Sequence, residues 1–213
     1  MNIYDIERKG IVAVIRNATL NTIIPIAQAL QEGGVTALEI TMETPKALQM
    51  IEKLRSEFAN DTTVGAGTVL DAETARAAIL AGAQFVFSPT VNVETIRAVK
   101  RYGILCISGA MTPSEILTAY EHGADAVKIF PANVLGPEYI KAISGPFPHI
   151  PLLPTGGITL KNVTDYIKAG AVAVGVGSTL LDTNKEVTSD YLLKIKETAR
   201  CFVEKVTNAK QRC

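Results

Sequence analysis

Short apolar runs rich in Val, Ile and Ala alternate along this chain with polar segments of helical period. The runs are Ile11–Ile15, Ala37–Ile40, Thr63–Ala66, Phe85–Phe87, Ile104–Ile107, Ala126–Phe130, Leu152–Leu153 and Ala171–Val176. A short apolar run between turn residues fits a strand covered on both faces, and strands alternating with helices imply a parallel sheet. Helical segments are expected to begin near Leu20, Pro45, Ala72, Val93, Pro113, Gly136, Leu160 and Glu186. Thr44, Asp71 and Thr112 stand where N-caps belong. Glycines close the helices at Gly33-Gly34, Gly82, Gly103, Gly123 and Gly170, each just before the next run. Eight βα units with short loops predict a closed (β/α)8 barrel. An open doubly wound sheet is the alternative, because Leu152–Leu153 is short for a strand. No linker or low-complexity stretch divides the chain, so residues 1–213 read as one domain.

In such a barrel, chemistry belongs at the carboxyl ends of the strands. The polar residues that fall there include Arg16, Glu39, Thr41, Thr68, Ser88, Ser108, Lys128, Thr155 and Ser178. Lys128 stands out because it interrupts the apolar run Ala126–Phe130. Burying an ammonium in an apolar site costs about 4–7 kcal/mol at the documented extreme. Two readings follow from the strand alone. Either the side chain snorkels to solvent at a strand end, or the amine is held there for chemistry. Alternation puts Lys128 on one face with Ala126 and Phe130, and Glu39 on one face with Ala37 and Thr41. Both then point into the barrel mouth, where a carboxyl beside an amine suits acid–base work with a nucleophile. The competing reading of Glu39 is a structural ion pair with Lys128 or Arg16.

Two glycine loops make a second constellation. Pro154-Thr155-Gly156-Gly157 follows the seventh run, and Gly175-Val176-Gly177-Ser178 follows the eighth. Loops at these two positions, with a short helix, frequently bind phosphate in barrels. Glycine lets backbone N–H groups approach an anion closely, and Ser178–Leu181 is expected to be the short helix. A third loop, Gly65-Ala66-Gly67-Thr68, lacks the GxGxxG dinucleotide spacing, so Thr68 is read as a hydroxyl donor at the mouth. Ser88 and Pro89 shape the rim, and Ser108 reads as a loop residue.

Other classes of function find little support. Lys plus Arg and Asp plus Glu both number 21, which leaves no net charge to attract nucleic acid or an anionic membrane. No apolar run nears the roughly 20 residues that span a bilayer. Met1 to Gly10 lacks the apolar core of a signal peptide. Three separated cysteines form no CxxC pair, consistent with a reduced, cytoplasmic protein. Cys106 reads as core and Cys213 as solvent exposed. His122 and His149 fall at a helix end and in a loop, without metal-ligand spacing. Their placement also disfavours a serine or cysteine nucleophile working through histidine.

The motifs Leu38-Glu39-Ile40-Thr41, Val64-Gly65-Ala66-Gly67-Thr68-Val69, Phe87-Ser88-Pro89, Val127-Lys128-Ile129-Phe130-Pro131-Ala132, Gly145-Pro146-Phe147-Pro148 and Pro154-Thr155-Gly156-Gly157 resemble a known family. It is that of the 2-keto-3-deoxy-6-phosphogluconate (KDPG) and 4-hydroxy-2-oxoglutarate (KHG) aldolases, and the resemblance runs from about Ile11 to Leu181. It implies a class I aldolase on a (β/α)8 barrel, a homotrimer that needs no metal and no cofactor beyond its own lysine. Lys128 would form the Schiff base with a 2-keto acid, and Glu39 would be the general acid and base. Arg16 and Thr68 would hold the carboxylate, and Phe130 and Pro89 would wall the pocket. Gly156, Gly157 and Ser178 would take the phosphate, beside Thr155 and Gly177 of the same loops. The products would be pyruvate and an aldehyde, as in the Entner–Doudoroff pathway.

In one respect the chain departs from some members of that family: Glu43 stands where they carry an arginine, four residues after the glutamate. The substrate expected is KDPG, with the galactonate analogue or a shorter hydroxy-keto diacid as alternatives. An isomerase or epimerase barrel would want metal ligands or a second carboxylate at strand ends. A non-catalytic sugar-phosphate-binding barrel would tolerate loss of Lys128.

Overall fold

A computed structural model describes residues 2–58 and 62–211, which leaves Cys213 outside the described residues. The strands are β1 (Ile11–Ile15), β2 (Ala37–Thr41), β3 (Thr63–Gly67), β4 (Phe85–Phe87), β5 (Leu105–Ala110), β6 (Ala126–Ile129), β7 (Leu152–Pro154) and β8 (Val174–Val176). All pair in parallel in the order β7-β6-β5-β4-β3-β2-β1-β8. A parallel bridge between Thr155 and Gly175 joins the two ends. The sheet is therefore closed into the expected (β/α)8 barrel, and the open-sheet alternative fails.

The helices are α1 (Ile3–Lys9), α2 (Ile23–Glu32), α3 (Ala47–Glu57), α4 (Ala72–Leu80), α5 (Val93–Arg101), α6 (Pro113–Glu121), α7 (Ala132–Ser144), α8 (Val163–Lys168) and α9 (Ser189–Lys210). Two expected caps form: Asp71 accepts from the Thr74 N–H, and Thr112 makes a capping box with Glu115. Thr44 does not cap. Its hydroxyl instead accepts from the Asn17 N–H at 3.0 Å and pairs with the Thr41 hydroxyl at 3.0 Å, and the helix starts only at Ala47. Gly34, Gly82, Gly103, Gly123 and Gly170 all adopt positive φ, between 68° and 107°, as the helix-closing pattern requires.

Three further expectations change. A helix precedes those expected from Leu20 onward: α1 caps itself through Asn2 and Asp5 and buries Ile6 in the amino-terminal end of the barrel. The seventh helix begins at Ala132 rather than near Gly136, which is instead a kink at φ 74°, ψ 170°. Ser108 is a fully buried residue inside β5, not a loop residue.

The apolar residues divide into two cores, as strand alternation demands. Val12, Ala37, Phe85, Phe87, Ile107, Ala126 and Leu153 belong to the cluster that fills the barrel. Leu38, Ile40, Val127 and Ile129 join the larger layer between sheet and helices. That division confirms the inferred facing of β2 and β6. Cys106 is packed in the outer layer, where burial pushes its thiol up to about 12.

The last helix, α9, packs on α2 and α8, with Phe202 fully buried beneath it. Phe202→Ala should cost about 3–5 kcal/mol, the range for deleting a buried aromatic ring. Chemical denaturation checks this, and a loss under about 1 kcal/mol would show that α9 contributes little to the core.

Candidate active site

The carboxyl ends of the strands surround a cavity of about 560 Å³, ample for a small metabolite. Of the residues singled out in the sequence, Arg16, Thr68, Pro89, Lys128, Phe130, Thr155, Gly156, Gly157, Gly177 and Ser178 all line it. Glu39 lies deeper, on β2.

Lys128 sits on β6 with 4% of its surface exposed, so its ammonium does not snorkel into solvent. Register places it beside Gly109 of β5 and Leu153 of β7. Its Nζ stands 5.1 Å from the ring centre of Phe130 and 5.5 Å from that of Phe87, within cation–π range of both. Among the described residues no carboxylate comes within ion-pair distance of it.

Glu39 is completely buried, and neither carboxyl oxygen receives a hydrogen bond from the described residues. Burial raises its pKa above the ordinary value, outweighing the downward pull of Lys128 and then Arg16. The structural ion pair considered for Glu39 is therefore not formed with either cation. Room for the carboxyl is made by Gly67 on the neighbouring strand, since any side chain there would run into it.

Arg16 instead pairs with Glu43. The loops that carry them are tied through Thr44, which links Asn17 to Thr41, and the Thr183 hydroxyl donates to the Arg16 carbonyl. Asn17, Lys46 and Thr68 all hold left-handed backbone, with φ of 58°, 64° and 54°. Each follows one of the first three strands, and non-glycine residues seldom adopt that geometry except where function or tight packing compels it.

The two glycine loops meet beside the Arg16 loop, because β8 pairs with β1. Gly156 and Gly157 have φ of 96° and 72°, and a Cβ on Gly156 would press on the Phe130 ring while one on Gly157 would overlap Asn133. Both positions require glycine for conformation and for space. The segment expected as a short helix, Ser178–Leu181, is a single turn, in which the Leu180 and Leu181 N–H groups both donate to the Gly177 carbonyl. Sequence reasoning also missed Asp182 and Asn184 on this wall, where the Asp182 carboxylate accepts from the Asn184 backbone and side-chain N–H groups. Nothing in their sequence context marks them: the long return from β8 to α9 folds over β1 and brings them in.

A barrel that holds an amine and a protonatable carboxyl together at its mouth, in an apolar pocket, is built for covalent work on a carbonyl compound. The family model described as "KDPG and KHG aldolase" matches residues 3–197. A 2-dehydro-3-deoxy-phosphogluconate aldolase of Pseudomonas aeruginosa is 44% identical over 160 residues, spanning 75% of this chain and 72% of that protein. A 2-dehydro-3-deoxy-6-phosphogalactonate aldolase of Escherichia coli is 34% identical over 83% of this chain and 87% of its own. A solved KDPG aldolase of Legionella pneumophila, with pyruvate captured as a covalent carbinolamine, superposes with a TM-score of 0.84 at 33% identity, covering 91% of this chain and 93% of that one. The chain belongs to the KDPG and KHG aldolase family.

The buried carboxyl makes a stability prediction. A carboxyl whose pKa is raised by folding binds its proton more tightly in the folded state, so that contribution weakens as pH climbs above about 4. Glu39→Gln removes this dependence. The variant's denaturation midpoint, relative to the natural protein, should rise between pH 4 and pH 8. A difference that stays flat across that range would mean that burial does not hold Glu39 protonated.

Proposed function

We propose that this chain is a class I aldolase that cleaves a 2-keto-4-hydroxy acid, foremost KDPG, to pyruvate and an aldehyde. The observation that carries the reading is Lys128, nearly sequestered at the cavity base beside a fully buried Glu39 with raised pKa. The relatives' names supply the substrate class, and the galactonate analogue and 4-hydroxy-2-oxoglutarate are the alternatives within it.

In this scheme the neutral amine of Lys128 attacks C2 and forms a carbinolamine. Glu39, protonated, gives its proton to the departing hydroxyl, which leaves as water while the nitrogen lone pair closes the iminium. The resulting Glu39 carboxylate takes the proton of the C4 hydroxyl, directly or through one water. The C3–C4 bond breaks, its electron pair moves into the iminium, and the aldehyde departs from an enamine. Protonation at C3 and hydrolysis then return pyruvate and the amine. The nitrogen is the electron sink, so the scheme calls on no metal or added cofactor.

The remaining residues bind. Arg16 and Thr68 take the substrate carboxylate, and Phe130 and Pro89 wall the carbon chain. Thr155, Gly156, Gly157, Gly177 and Ser178 receive the distal end. Glu43 stands where some family members carry an arginine, so a distal phosphate relies mainly on the glycine backbones. The same resemblance argues for a homotrimer, with all of the site on the one barrel domain, and the separated cysteines without a CxxC pair argue for a reduced, cytoplasmic setting.

Borohydride reduction in the presence of pyruvate tests this, followed by mass spectrometry of the peptide that contains Lys128. A reduced pyruvyl adduct on Lys128 is expected, together with a fall of about 10²–10⁴-fold in turnover for Glu39→Gln. An adduct on another lysine, or none, would overturn the reading.

A further inference from the structure

The scheme above gives Phe87 no part, yet its ring faces the reacting nitrogen. Phe85 and Phe87 are two apart on β4 and so point to the same side, into the barrel. Their rings pack at 5.4 Å with a 59° tilt. Phe85 is itself fixed: it fills the space left by Gly65, where any side chain would enter its ring. Phe87 is thereby buttressed from below and is fully buried, with the Lys128 Nζ 5.5 Å from its ring centre. Phe130, the second ring within reach of the nitrogen, is 37% exposed and belongs to the pocket wall. One ring of the pair is thus immobilised in the core and the other stands at the solvent edge.

We infer that Phe87 is a catalytic residue whose ring face stabilises the cationic nitrogen of the Schiff base, favouring the iminium over the neutral carbinolamine. The inference rests on the Schiff-base reading of Lys128. The step concerned is the dehydration: the carbinolamine C–O bond breaks, the Glu39 proton leaves with the hydroxyl as water, and the C=N bond forms with a positive charge on nitrogen. The charge appears in an apolar pocket where, among the described residues, no carboxylate is in ion-pair contact with that nitrogen. Glu39, left as a carboxylate by the same step, supplies a counter-charge, and the negative ring faces of Phe87 and Phe130, 5.5 and 5.1 Å from the resting nitrogen, add support that is in place before the step begins. Such contacts gain strength where water is excluded. A phenylalanine that merely fills the barrel would do so whatever its ring electrons, which separates the two roles experimentally.

The test places phenylalanine, 4-fluoro-, 3,5-difluoro- or 3,4,5-trifluorophenylalanine at position 87 alone. Fluorine drains the ring face of negative potential while nearly conserving its shape. Each protein is equilibrated with pyruvate labelled with carbon-13 at C2, and the iminium and carbinolamine signals are compared by NMR. The iminium-to-carbinolamine ratio should fall stepwise with fluorine number, by about threefold or more at the trifluoro ring. A Phe87→Leu protein should show a ratio at least as low. A ratio that stays flat across the fluorinated series while pyruvate remains attached to Lys128 would overturn the role of Phe87, even if Phe87→Leu is impaired. Failure of the natural protein to form either adduct would instead overturn the Schiff-base reading, and this inference with it.

Discussion

The structure depends on keeping an amine and a carboxyl in one apolar mouth without letting them pair directly. A close buried ion pair would tie up both groups, and breaking it to reach a substrate would carry a large penalty. Here Glu39 is pushed by burial toward its neutral form, while Lys128 rests within cation–π range of two aromatic rings. Arg16, the next cation along the rim, is drawn outward to Glu43. Each charged group thus has a neighbour that restrains it, and the cavity between them is left for a ligand.

Backbone economy makes that arrangement possible. Gly67 makes room for the Glu39 carboxyl, and Gly109 lets the turn at Ser88 and Pro89 close over β5 beside Lys128. Gly175 faces Thr155 at the bridge that seals the barrel, where any side chain would strike the threonine hydroxyl. At the amino-terminal end the interactions serve stability instead. The Lys9 ammonium donates to the Thr36 carbonyl and the Thr63 hydroxyl, and Asp125 ties Lys100 to the start of β5. The separation matches the division expected of this fold, with packing at one end and chemistry at the other.

Much of this was legible in the residues alone. The two periodicities locate the strands and helices, and the helix-closing glycines mark the units. Alternation on β2 and β6 correctly turns Glu39 and Lys128 inward, because one-residue facing is a strict consequence of strand geometry. What escaped depends on long-range folding. Thr44 looks like a cap before Pro45, yet its hydroxyl is claimed by the neighbouring β1 loop, and only the pairing of β1 with β2 brings that loop near. Asp182 and Asn184 enter the site because a long connection returns across β1. Phe87 reads as ordinary core, since its distance to Lys128 is set by the curvature of three strands. The opening helix was missed because a short polar segment shows no periodicity until Ile6 finds the barrel floor.

The central claim is that Lys128 turns a bound keto acid into an enamine, and proton exchange at C3 of pyruvate tests it most directly. In deuterium oxide the enzyme should wash deuterium into the pyruvate methyl group without any aldehyde present. Lys128→Ala, shown to be folded by circular dichroism, should lose that exchange. Exchange that persisted in Lys128→Ala at the natural rate would contradict the account, because the electrons would then have a sink other than this nitrogen.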